Sequence, residues 1–166
     1  MNRPIIPNRS KPVAASKVEQ LFNAGFSAHQ AGKLDEAKSA YLKVLKSLPD
    51  DFESLYLLGT AYSQGAQFDD ALRYLKKAVK LDPKHPEALN NLGLTLKGMN
   101  QPAEALVCYR KALALRGDYA DALNNIGNAL EFMGELDEAE IALRQALVLN
   151  AINPAIGGVL IRGEKG

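Results

Sequence analysis

The sequence predicts an all-α chain, a solenoid of four helix-turn-helix units, and three observations carry that reading. Gly25, Gly59, Gly93 and Gly127 recur every 34 residues. Ala37, Ala71, Ala105 and Ala139 keep the same spacing. Around them apolar residues fall at helical i, i+3, i+4, i+7 intervals, the mark of an amphipathic helix face. A single ordinary core does not give two chemically specific positions one common period, whereas four copies of one supersecondary unit do.

The elements follow in order. Residues 1–15 hold Pro4, Pro7 and Pro12 with Arg3, Arg9 and Lys11 and no continuous apolar run. They are expected to form a flexible, weakly basic tail, with neither a normal secretory signal nor a transmembrane helix. Ser16 and Glu19 have capping-box spacing and should start the first helix. Four repeats then fill residues 16–151, at about 18–51, 52–85, 86–119 and 120–153.

Each repeat opens with a helix A. Its apolar face is Leu21, Ala24, Gly25 and Ala28 in the first copy and Leu55, Leu58, Gly59 and Tyr62 in the second. Leu89, Leu92, Gly93 and Leu96 form it in the third, and Leu123, Ile126, Gly127 and Leu130 in the fourth. A polar break containing Gly32, Gly65, Gly98 or Gly134 leads to helix B. That helix carries the repeating alanine, then Tyr41, Leu75, Tyr109 or Leu143, then Val44, Ala78, Ala112 or Ala146.

A glycine inside a helix costs about 1 kcal/mol relative to alanine, so four in register imply close A–B contact, with the alanine facing the glycine. Pro49 and Pro83 should end helix B in their repeats, while Gly117 and Ala151 mark the later ends less sharply. Asp35, Asp69 and Asp137 suit the positive end of the helix dipole, as do Glu19, Glu53, Glu87 and Asp121 in helix A.

Residues 152–166 read as a partial or capping helix, with Asn153 and Pro154 as N-cap and first position. Ile156, Val159, Leu160 and Ile161 are apolar where an array usually turns polar. The chain therefore reads as a fragment of a longer protein, with packing of that end against another subunit as the alternative.

The Leu-x-x-Leu-Gly-x-x-Tyr of Leu55 to Tyr62, followed by Ala71, Ala78 and Pro83, resembles the tetratricopeptide repeat family over roughly residues 18 to 151. The resemblance implies helix-turn-helix units stacked into a right-handed superhelix. Asn90-Asn91-Leu92-Gly93 and Asn124-Asn125-Ile126-Gly127 are similar to repeats of O-linked N-acetylglucosamine transferases and of other bacterial multidomain enzymes. There an asparagine ladder holds substrate polypeptide, which would carry over to Asn23, Asn91 and Asn125, with Leu57 interrupting the row. The lysine clamp of the family's chaperone-binding branch has no counterpart at Phe22, Tyr56, Asn90 and Asn124.

Catalytic chemistry is thin. Cys108 has no histidine positioned beside it by the repeat, and is expected to pack between helices. A lone cysteine excludes an internal disulfide and fits a reducing, cytoplasmic setting. His29 and His85 belong to no cluster with metal-ligand spacing, and no phosphate-binding glycine loop is present. No enzyme activity, cofactor or metal is expected. A net charge of +1, with lysines interspersed along helix B, argues against nucleic acid.

What remains is the face of helix A pointing away from its own B helix. A side-chain amide offers both donor and acceptor and can pair with a peptide group, so a row of asparagines could read an extended backbone. The expected peptide-binding residues are Asn23, Tyr56, Asn90, Asn91, Asn124, Asn125 and Asn128. The alternative use of the amides is solvation or hydrogen bonding between neighbouring repeats. The function expected is a non-catalytic module that binds protein or peptide in a concave groove. The alternatives are the substrate-recruiting region of a larger glycosyltransferase-like enzyme, or a scaffold that self-associates through its C-terminal end.

Overall fold

The computed structural model describes residues 16–152, which form eight α-helices and, among those residues, no strand. The A helices are α1 (Lys17–Gln30), α3 (Phe52–Gln64), α5 (Pro86–Gly98) and α7 (Ala120–Met133). The B helices are α2 (Leu34–Ser47), α4 (Phe68–Leu81), α6 (Pro102–Leu115) and α8 (Leu136–Ile152). The tail expected at 1–15 and the Asn153–Pro154 helix start lie outside the described residues.

Local chemistry sets each boundary. Ser16 Oγ accepts the Glu19 N–H at 3.2 Å, as the capping-box spacing implies, and Asp51 Oδ2 does the same for Ser54 at 3.0 Å. His85 caps α5 by accepting the Ala88 N–H at Nδ1, 3.2 Å away. The same ring lies 3.4 Å from the Glu87 carboxylate. Pro49 and Pro83 stand just past the ends of α2 and α4. In the last repeat Ala151 takes the register position of those prolines and lies inside α8, which has 17 residues where the other B helices have 14.

The A-to-B turns correct one sequence reading. The backbone is left-handed at Gly32, Ala66, Asn100 and Gly134, with φ of 72°, 56°, 61° and 83°. These four positions keep the 34-residue period, which Gly65 and Gly98 do not. Every turn closes with the same bond pair: Gly32 N–H to His29 O with Lys33 N–H to Ala28 O, and equivalents through to Gly134 and Glu135. Gly98 serves packing instead: a Cβ there would lie 2.4 Å from the Phe68 ring at the start of α4.

The in-register glycines do permit close A–B contact, but the facing residue is not the alanine. A Cβ at Gly59 would lie 2.6 Å from Leu75, at Gly93 2.4 Å from Tyr109 and at Gly127 2.5 Å from Leu143. At Gly25 it would lie 3.0 Å from both Ala40 and Tyr41. Each glycine thus receives the large side chain four residues beyond the repeating alanine, while Ala37, Ala71, Ala105 and Ala139 are themselves buried.

Tyr41, Tyr109, Leu55, Leu58, Leu75 and Val44 are the large, fully buried side chains. At about 1.5–3 kcal/mol for a fully buried aliphatic side chain, stacking supplies the stability that helices of this length lack alone. Consecutive helices pack pairwise. Across repeats α1 meets α3, α3 meets α5 and α5 meets α7, while no B helix of the described residues meets another B helix. The layer whose members touch is the inner wall of the curved stack, so the A helices line the concave side. No helix among the described residues is long and apolar enough to cross a membrane.

Candidate functional site

The inner wall is built from the second face of each A helix, and the structure places every expected binding residue on it. Asn23 is exposed on α1, Tyr56 is half-buried on α3, and Asn90 is buried on α5 beside a half-buried Asn91. Asn124 is half-buried and Asn128 exposed on α7, with Asn125 half-buried between them.

The asparagines do not bond to one another along their shared 34-residue register. The cross-repeat contacts run one residue off it, at a spacing of 35. Asn125 Nδ2 donates to Asn90 Oδ1 at 2.9 Å, and Asn91 Nδ2 approaches Tyr56 Oη at 3.4 Å. Between α1 and α3 the register equivalents are Phe22 and Leu57, and a bond of the same offset forms seven residues further along, where His29 Nε2 meets Gln64 Oε1 at 2.9 Å. Each of the three A–A interfaces thus carries a polar link at the 35-residue offset, two of them at one register. Asn91 Nδ2 also donates to Thr60 Oγ1 at 3.0 Å. Thr95 adds a further link: its hydroxyl donates to the Asn91 carbonyl at 2.9 Å and accepts from Ser63 Oγ at 3.0 Å.

The amides therefore have two uses. Asn90, Asn91 and Asn125 spend part of their capacity joining repeats. Asn23, Asn124 and Asn128 make no side-chain hydrogen bond within the described residues, which leaves their donors and acceptors to solvent or ligand. His29 and Gln64 do not share the strict 34-residue register, and the 35-residue offset is the signal that pairs them.

Aromatic side chains fill the wall near α1 and α3. Phe22 and Phe26 stack with ring centroids 6.5 Å apart, and Phe22 lies 6.0 Å from Tyr41. Phe52 and Tyr56 stack at 6.0 Å, and the His85 ring lies 4.8 Å from Phe52 and 5.3 Å from Tyr56. Burial pushes the Tyr56 hydroxyl up to about 12, helped by Glu87 and Glu53, so it stays a neutral phenol.

Acids mark one edge of the wall. Glu19, Glu53, Glu87 and Asp121 occupy the first turns of the four A helices. Glu87 accepts a hydrogen bond from Arg116, whose guanidinium lies 4.9 Å from the Tyr119 ring centroid. Burial raises the Glu53 carboxyl above its ordinary value; Asp51, Asp82 and Glu87 add to the rise and His85 opposes it.

Cys108 is buried in α6, and burial raises its thiol against the opposing pull of Lys111 and Lys76. A buried, protonated thiol is a packing group and a poor nucleophile. Among the described residues no group of three or more His, Cys, Asp or Glu could hold a metal ion.

Models of the tetratricopeptide repeat match residues 28–92 and 85–149. The crystal structure of MamA superposes with a TM-score of 0.78 at 25% identity, over 86% of this chain and 83% of that one. MamA 41-end from Desulfovibrio magneticus RS-1 gives 0.78 at 23% identity, over 82% and 77% of the two chains, and shows the fold alone. An O-GlcNAc transferase mutant of Thermobaculum terrenum gives 0.67 at 29% identity over 73% of this chain, which spans only 23% of that enzyme. No curated protein matches.

Proposed function

The chain belongs to the tetratricopeptide repeat family, and from that premise we propose that its inner wall binds extended polypeptide without catalysis. The family and its neighbours establish an interaction or scaffold module. The observation that carries the finer reading is the set of asparagines on the wall with unused hydrogen-bonding capacity, Asn23, Asn124 and Asn128, beside Asn91 and Asn125. Each amide–peptide bond contributes about 0.5–1.5 kcal/mol net, so a few of them suit modest affinity and tolerance of sequence.

The variant that tests this is Asn124→Ala/Asn128→Ala, because neither side chain joins repeats. Peptides selected from a random displayed library on the wild type should lose most of their binding to the variant at unchanged helicity and melting temperature. Equal binding by both proteins overturns groove recognition.

A second reading, a self-associating scaffold, is favoured by one observation at the other end. Leu147 of α8 is 63% exposed, whereas its register equivalents Leu45, Val79 and Leu113 pack against buried clusters. Ile141, Val148 and Ile152 are exposed on the same helix. A mass that rises with concentration and falls to the monomer in Leu147→Lys/Val148→Lys supports it; a concentration-independent monomer rejects it.

A further inference from the structure

Charge is divided unevenly between the two layers. The A helices carry Glu19, Glu53, Glu87, Asp121 and Glu131 against Lys17 and Lys97. The B helices reverse the balance, with ten lysines and arginines to eight acids. The B-to-A connections, which border the first turns of the A helices, hold Asp50, Asp51, Asp82 and Asp118 against Lys84 and Arg116. Of these cations Arg116 is already engaged by Glu87, and Asp50 pairs with Lys77 of α4. Glu53, Asp121 and Glu131 have no ion pair within the described residues. A chain of net charge +1 thus presents an acidic inner wall.

Two further features lie on that wall. Phe22 and Leu57 are half-buried side chains packed on the Ala37–Tyr41–Leu58 cluster, with Phe26 stacked on Phe22, so they offer an apolar surface at the α1–α3 end. Asn90 is only 4% exposed, and its Oδ1 accepts from Asn125. Its N–H2 group makes no bond within the described residues. That amide keeps access to solvent, so it can also donate to a peptide carbonyl, an acceptor of the right kind.

We propose that the inner wall selects a basic, extended segment of a separate polypeptide. Lys or Arg side chains of that segment lie along Glu53, Asp121 and Glu131, and one bulky apolar side chain rests on Phe22, Phe26 and Leu57. The wall supplies the complementary field, which sets partner choice and association rate more than affinity. This rests on the groove-binding reading above and adds to it the chemistry of the partner.

The test uses three fluorescein-labelled synthetic peptides of equal length, each with one leucine and otherwise alternating alanine with lysine, with glutamine or with glutamate. Against the full chain, the lysine peptide should bind about tenfold more tightly than the glutamine peptide, and the glutamate peptide most weakly. Raising salt from about 50 to about 500 mM should shrink the difference, since exposed pairs are screened. Glu53→Lys/Asp121→Lys should invert the order, and the milder Glu53→Gln/Asp121→Asn should flatten it.

Equal binding of the three peptides, or a preference that survives charge reversal, overturns the proposal. Leu-dependent binding lost in Asn124→Ala/Asn128→Ala but blind to charge leaves groove recognition standing and removes only the basic partner. The chain's own residues 1–15 contain Arg3, Arg9 and Lys11 and no acid. If Arg3→Glu/Arg9→Glu/Lys11→Glu strengthens lysine-peptide binding, that segment competes for the wall, and a separate polypeptide is not its resident partner.

Discussion

The two halves of the inner wall are built on the same repeat yet seal themselves with different chemistry. Between α1 and α3 the wall is aromatic: Phe22, Phe26, Phe52 and Tyr56 stack along it, and the cross-repeat bond joins a half-buried His29 to an exposed Gln64. Between α5 and α7 it is amide, and the seam bond joins Asn125 to a buried Asn90. The same contrast recurs beneath the surface, where Gly93 receives a tyrosine ring far more tightly than Gly25 does. The backbone period fixes where contacts fall; the side chains decide how much each one matters. In a stacked array stability is close to a sum of local terms, so the halves can be probed separately.

The largest expected difference is at the glycines. A Cβ at Gly93 would lie 2.4 Å from Tyr109 Cε1, and the Tyr109 side chain is fully buried with no room to swing aside. At Gly25 the nearest atoms are 3.0 Å away, a distance a few tenths of an ångström of adjustment relieves. Alanine gains about 1 kcal/mol of helix propensity at either site, while overpacking costs about 1–3 kcal/mol. Gly93→Ala should therefore destabilise by a net of up to about 2 kcal/mol in urea unfolding, and Gly25→Ala should gain up to about 1 kcal/mol or stay near wild type. Equal losses would show that register alone, and not the facing side chain, sets the cost.

Those glycines also mark how far the fold is legible without coordinates. The period, the helix pairs and their caps at Ser16, Pro49 and Pro83 follow from residues a reader can count. The facing partner does not, because alanine and the large side chain four residues later lie on one helical face, and only the approach distance chooses between them. The turn position was obscured for a related reason: Ala66 and Asn100 adopt the left-handed conformation that glycine composition signals elsewhere. Around the wall, sequence places the asparagines on one face but is silent on their bonds. A one-residue shift between neighbouring repeats turns an expected ladder into a seam.

That seam gives the second comparison. The Asn90–Asn125 bond is partly shielded from water and the His29–Gln64 bond is exposed, so water replaces the second more readily than the first. A double-mutant cycle with Asn90→Ala and Asn125→Ala should yield a coupling of about 0.5–1.5 kcal/mol. The cycle with His29→Ala and Gln64→Ala should yield a few tenths of a kcal/mol or less. Similar couplings would mean that the two halves are joined equally well and that burial of Asn90 has no energetic consequence.

The smallest effect concerns the acids at the two A-helix starts that flank the α3–α5 interface. Glu87 has Arg116 as a direct partner, whereas Glu53 sits among Asp51, Asp82 and Glu87 and is partly desolvated. Its carboxyl is raised mainly by that burial, so the folded state holds the proton more tightly than the unfolded chain does. Between the ordinary glutamate value and the raised one the native state binds more protons, and stability must fall as pH rises through that window. Thermal melts at rising pH, from about pH 4 upward, should show the wild type losing ground to Glu53→Gln, with the gap constant once the raised carboxyl is fully ionised. Because this side chain also reaches solvent along one edge, screening keeps the shift well below that of the glycine pair. A gap that widens toward low pH would reverse the sign and mean that His85 outweighs the neighbouring carboxylates and the burial together.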